Sequence, residues 1–243
     1  MLIWMWLLGC SSGDSDQVRT RDPLWAMPSD SLLDEDGYVA LPSQLLPQPI
    51  GGTAIPVERL TWRTGFSPVQ TTVFFPTEVL DADSLPGVEE ASEAGSVQIW
   101  DLTSGERVPC LAELDLYPQE EEIPTLLVRP LVPMVPGHRV AVVVTESVKT
   151  VAGQPISRPD WAQAALDDQP VEGMSVTDYQ DDAARLEALG VTDARFFSSF
   201  PISDGGGPLR SMVDQVEVPT EWSLDDPLFA ADSALIPPGI HAR

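Results

Sequence analysis

The chain has 243 residues, room for one large or two modest domains with a real core, and its 43% hydrophobic content is ordinary for a folded protein. The 38 Asp and Glu outweigh the 13 Lys and Arg, for a net charge of −25. That balance argues against nucleic acid and anionic lipid surfaces as partners, because phosphate binding relies on clustered cations. Two cysteines and two histidines, far apart in the chain, do not make a zinc-ligand set.

Taken in chain order, residues 1–10 form an uncharged apolar run that ends on Cys10 and opens into Ser11, Ser12, Gly13 and Asp14. The run is too short for a bilayer span of about 20 residues, and it fits the roughly 7–15 residues of a signal-peptide core. Leu7-Leu8-Gly9-Cys10 resembles the lipobox of exported bacterial lipoproteins. The resemblance implies a signal peptide over 1–9, cleavage before Cys10 and lipidation of the Cys10 thiol with several palmitate-type acyl chains. At about 0.8 kcal/mol per buried methylene, several chains hold firmly where one is marginal. Ser11 in place of Asp after the cysteine implies the outer membrane or cell surface. No Lys or Arg precedes Leu7, although a secretory signal begins with a positive region, so the start codon is expected upstream. Once Cys10 is acylated, Cys110 has no partner within the chain and is expected to be a buried or idle thiol. Without acylation, Cys10 and Cys110 are free to pair in an oxidising compartment.

Residues 10–22 are polar and aperiodic, a tether. From 23 to 156 the chain reads as short β segments broken by Pro, Gly and Asp, with strands predicted at Gln70 to Phe75, Ser96 to Asp101, Thr125 to Arg129 and Arg139 to Thr145. Val140 to Val144 is apolar at every position and predicts a central strand covered on both faces. The spacing and turn chemistry indicate a mainly β fold, an antiparallel Ig-like sandwich with a small C-terminal helical appendage. That appendage, 157–218, holds predicted helices at Pro159 to Leu166 and Ser175 to Leu189, the latter ending at Gly190, then a closing strand from Ala194 to Ile202 and a short helix from Pro208 to Val216. Tyr179, Ala183, Leu186 and Leu189 form the stripe expected to pack on the sandwich. Residues 219–243 read as an acidic, Pro-rich linker or tail.

No catalytic, cofactor or metal residue is predicted. There is no Gly-x-Ser-x-Gly elbow, and a nucleophile, a histidine base and an orienting acid are not assembled in any motif. His138 lies in a turn leading into a strand and is expected at the surface; His241 falls in the tail. Gly205-Gly206-Gly207 lacks the Lys and Ser or Thr of a phosphate loop and reads as a hinge. Glu120-Glu121-Glu122 reads as a solvated loop. Asp34-Glu35-Asp36-Gly37 and Asp81-Ala82-Asp83 do not continue into a calcium-binding loop with a closing Glu and read as solvated turns; acidic loops permit calcium without demanding it. Trp25, Trp62, Trp100, Trp161 and Trp222 are candidates for a sugar-stacking platform, but their wide spacing favours core or interdomain packing.

Several stretches carry a further likeness: Pro28 to Leu33 with Asp36-Gly37, Thr64-Gly65-Phe66-Ser67, Val79-Leu80-Asp81, Val97 to Asp101, Val135 to Val140 and Phe197 to Ser203. Together they resemble the N-terminal, non-catalytic domain of bacterial virulence-factor lipases and related myxobacterial-type lipoproteins, with its S-layer-type Ig-like module. In that family an α/β-hydrolase domain follows, and this chain stops where it would begin. The resemblance therefore carries no catalytic residue across. The expectation is a lipid-anchored envelope module with a binding or spacer role. Its alternative is the non-catalytic front of a truncated or split lipase or esterase. Expected partners are the membrane, through the anchor, and a hydrolase domain or another envelope protein.

Overall fold

The computed structural model describes residues 25–42, 63–87, 95–116 and 123–205. Among these the architecture is a mainly β sandwich of two four-stranded antiparallel sheets. One sheet is built from β1 (Ala26–Met27), β2 (Thr72–Phe74), β5 (Cys110–Leu114) and β6 (Leu126–Pro130), in the order β1-β2-β6-β5. The other comprises β3 (Val97–Asp101), β4 (Glu106–Val108), β7 (Arg139–Thr145) and β8 (Ala194–Pro201), in the order β4-β3-β7-β8. Lettered in chain order by the Ig convention, these are ABED and C′CFG, the Greek-key arrangement of an Ig-like sandwich.

The register explains why β7 is apolar throughout. Val140, Val142 and Val144 lie opposite Asp101, Ile99 and Val97 on one side and Phe200, Ser198 and Phe196 on the other. This layer faces the first sheet: Phe74 meets Phe196 edge to face at 5.4 Å, and the Cys110 Sγ lies 3.9 Å from the Val97 carbonyl. The intervening residues Ala141 and Val143 point to the opposite face and are also buried. What covers them is a helical pair, α1 (Asp160–Leu166) and α2 (Val176–Ala188), inserted between β7 and β8. Tyr179 of α2 stacks on Phe197 of β8 with ring centroids 4.1 Å apart and planes 3° from parallel. Such a pair is worth about 0.5–1.5 kcal/mol beyond its buried area.

Both ends of α2 are set by local chemistry. The Ser175 hydroxyl accepts the Asp178 N–H, a side-chain N-cap. At the other end Gly190, at φ +88°, donates to Glu187 O while Val191 N–H reaches back to Leu186 O, the paired bonds of a Schellman stop. Its buried face is Tyr179, Asp182 and Leu186, so a carboxylate sits inside the apolar stripe. Neither described helix is long and apolar enough to cross a membrane. Chain order returns from these helices to β8, which pairs with β7 from Arg139↔Pro201 to Thr145↔Ala194. Cys10, Trp62, Glu120 to Glu122, the 208–216 helix and the 219–243 tail lie outside the described residues.

Candidate functional site

The sandwich and the start of α1 meet in a groove of about 520 Å³, within the roughly 300–1,000 Å³ typical of small-molecule sites. Four chain segments build it, Phe196 of β8 being one. Trp25 stands just before β1, Phe75 to Thr77 follow β2, and Ile156 to Pro159 lead into α1, whose first turn supplies Asp160 and Trp161. The pairing of Ala26 with Phe74 puts the start of β1 beside the end of β2, which is why Trp25 and Phe75, 50 positions apart in sequence, share one wall. Phe75 N–H donates to Trp25 O at 3.1 Å and ties them.

Trp25 and Trp161 stack at 4.6 Å with planes 22° apart. Trp161 also meets Tyr179 and Phe196 edge to face, at 5.8 and 6.3 Å. Of the five tryptophans singled out in the sequence, the structure thus unites two, through β1 pairing and the α1 insertion. Trp100 is elsewhere: its Nε1 donates to Gln98 Oε1 at 2.8 Å, and Arg107 lies over its ring at 5.7 Å. Trp62 and Trp222 fall outside the described residues.

The polar rim of the groove comes from Thr77, Ser157, Arg158 and Asp160. Arg158 donates one Nη2 bond to Ala194 O at 2.9 Å. Ser157 N–H is held by Glu78 Oε2 at 2.9 Å, which fixes the backbone and leaves the hydroxyl unused. Among the described residues, the Asp160 carboxylate and the Thr77 and Ser157 hydroxyls make no hydrogen bond or ion pair with the protein.

Two further polar clusters serve the fold. His138, expected as a surface turn residue, is instead paired: its Nδ1 lies 2.7 Å from Asp101 Oδ2, with the side chains 29% and 4% exposed. The other Asp101 oxygen accepts the Thr103 and Ser104 N–H groups, at 2.9 and 3.1 Å. The cluster closes the β3–β4 turn onto the start of β7. Burial works to raise the Asp101 pKa, but bonding from His138 and from the two amides outweighs it and the net shift is downward. A carboxylate depressed in the native state contributes stability that is complete above the unfolded value of about 3.9 and disappears as pH falls through its native pKa. Asp101→Asn should therefore flatten the acid limb of stability against pH below about pH 4, measured by urea unfolding at a series of pH values. An unchanged acid limb would show that other carboxylates set it.

The second cluster centres on Arg139. Its Nε reaches both Asp182 oxygens at 3.0 and 2.8 Å, Nη1 reaches Asp30 Oδ1 at 3.2 Å, and Nη2 bonds Asp30 Oδ2, Asp182 Oδ2 and Ser199 Oγ. Arg185 adds a contact to Asp182 at 3.3 Å. Burial disfavours the Arg139 charge, yet the two carboxylates dominate and hold the guanidinium protonated. One side chain thereby joins the 3-10 turn at Asp30–Leu32, the β7–β8 pair and α2.

The acidic turns use their carboxylates locally. Asp34 Oδ1 accepts from Asp36 and Tyr38 N–H, and Asp81 Oδ1 from Asp83 N–H, bonds that shape turns. Cys110 is buried and unpaired among the described residues, and burial pushes its thiol up to about 11, so it is a poor nucleophile at neutral pH. One sequence signal points to the Arg139 cluster: Asp182 falls three residues after Tyr179 and four before Leu186, on the apolar stripe, where a lone carboxylate requires a cation. No protein-family model, curated protein or solved structure matches this chain.

Proposed function

We propose that the protein is a lipid-anchored module of the bacterial cell envelope, in which an Ig-like sandwich binds a ligand or spaces a partner without catalysing a reaction. The binding role rests on one observation: an aromatic-walled groove with polar side chains that the fold leaves unused. The anchoring role rests on Leu7-Leu8-Gly9-Cys10 and the polar segment after it.

Cys10→Ser tests the anchor. In a bacterial host the wild-type chain should sediment with membranes after a salt and carbonate wash and incorporate labelled palmitate. The variant should lose the label and appear in the soluble fraction with an unchanged far-ultraviolet circular dichroism spectrum. Continued sedimentation of a folded, unlabelled variant would contradict lipid anchoring.

A further inference from the structure

We infer that the Trp25–Trp161 groove binds a neutral pyranose carbohydrate, an inference that rests on the binding role proposed above and not on the lipid anchor. Its lining has two kinds of surface that a single ligand must satisfy. Trp25, Trp161, Phe75 and Pro76 line the groove with apolar surface; Trp25 and Trp161 each spend one face on the other, and all four side chains stay half-buried. An aromatic face carries a negative quadrupole and attracts polarised C–H groups, which a pyranose ring presents along one side.

The rim makes a different demand. Asp160 offers carboxylate oxygens that accept O–H bonds, Arg158 keeps guanidinium N–H donors beyond the one on Ala194 O, and the Thr77 and Ser157 hydroxyls do both. A wholly apolar ligand would strip water from these groups and return nothing, which is unfavourable for each. A sugar answers both surfaces at once, with C–H groups on the rings and hydroxyls around the rim.

Charge narrows the class. Within the groove lining the charges of Arg158 and Asp160 sum to zero, while the chain as a whole carries −25. Polyanionic sugars are repelled by that field, and a neutral hexose or N-acetylated hexosamine is not. A volume of about 520 Å³ accepts more than one ring, so an oligosaccharide end or internal segment is the fitting ligand.

The test titrates the full chain with cellotetraose, chitotetraose and maltotetraose, followed by calorimetry and tryptophan fluorescence. At least one should saturate with a Kd between about 10 μM and 1 mM, corresponding to modest small-molecule affinities. Asp160→Ala, at an exposed position without a protein partner, should weaken that binding at least about tenfold, or 1.4 kcal/mol, with the melting temperature little changed. Trp161→Phe should weaken it as well while keeping an aromatic ring in the core. Failure of all three sugars to saturate by about 10 mM, well above any Kd in that range, would overturn the inference. So would binding indifferent to both substitutions, or occupation of the groove by the apolar dye anilinonaphthalene sulfonate that no sugar displaces. Because the purified chain is used, a negative result leaves the Cys10→Ser outcome untouched and reduces the module to a spacer.

Discussion

Arg139→Met is expected to destabilise the protein by about 3–5 kcal/mol, the cost of leaving buried carboxylates without their cation. Asp182 is 2% exposed and bonds Arg139 through both oxygens, so its charge has no route to water once the guanidinium is gone. Arg185 is a weak substitute, since it is half-exposed and touches Asp182 through a single 3.3 Å contact. The loss should be largest at neutral pH and shrink in mild acid, because a desolvated, unpaired carboxylate takes up a proton more readily. Removing the charges together should recover much of the loss: Arg139→Met with Asp182→Leu and Asp30→Asn replaces an ion cluster by groups that tolerate burial. Urea unfolding of the single and triple variants at pH 5 and pH 7 measures both effects. A single variant as stable as the wild type would mean that the cluster is solvated in solution.

Gly65→Ala is expected to cost about 3–4 kcal/mol, from a left-handed backbone and from overpacking. Gly65 has φ +97°, and a Cβ there would lie 2.7 Å from the Pro201 carbonyl oxygen and 3.0 Å from Ser203 N. Both contacts are backbone atoms, so no side chain can swing aside. The approach is close because Phe66 pairs with the end of β8, its N–H on Pro201 O at 2.9 Å and its carbonyl accepting Ser203 N–H at 2.8 Å. Gly137 supplies the control. It has φ +80° with nothing within 4 Å of the added carbon, so Gly137→Ala should cost only the conformational part, about 1–2 kcal/mol. Equal losses at the two positions, read from chemical denaturation, would show that the β8 end gives way to the methyl.

Much of this architecture is visible in the residues because burial on both faces leaves an unmistakable pattern. Val140 to Val144 admits only a central strand, and β7 indeed lies between β3 and β8. The two helices announce themselves through Pro159, Ser175 and Gly190. Strands β4 and β5 are hidden for a physical reason: Glu106-Arg107-Val108 is short and charged, as an edge strand should be, and Glu113 interrupts the apolar pattern of Cys110 to Leu114 because it pairs with Arg129 across the ladder. The two residues of β1 are too few to show a period.

The sites were harder to read, since each depends on contacts between distant segments. Asp101 and His138 are 37 positions apart, and nothing local to the 136–139 turn shows that a buried carboxylate waits across the sheet edge. The wide spacing of Trp25 and Trp161 hides their juxtaposition, which needs β1 pairing, the β7–β8 insertion and the entry into α1 all at once. Their packing role is real, through Tyr179 and Phe196. The same rings stay half-buried and line the groove.

Lipid attachment at Cys10 is tested most directly by the intact mass of the chain extracted from membranes with detergent. A species that begins at Cys10 and carries the added mass of a diacylglycerol and an amide-linked acyl chain is the expected result. A membrane-derived chain that retains Met1 to Gly9, or one with an unmodified Cys10, would contradict it.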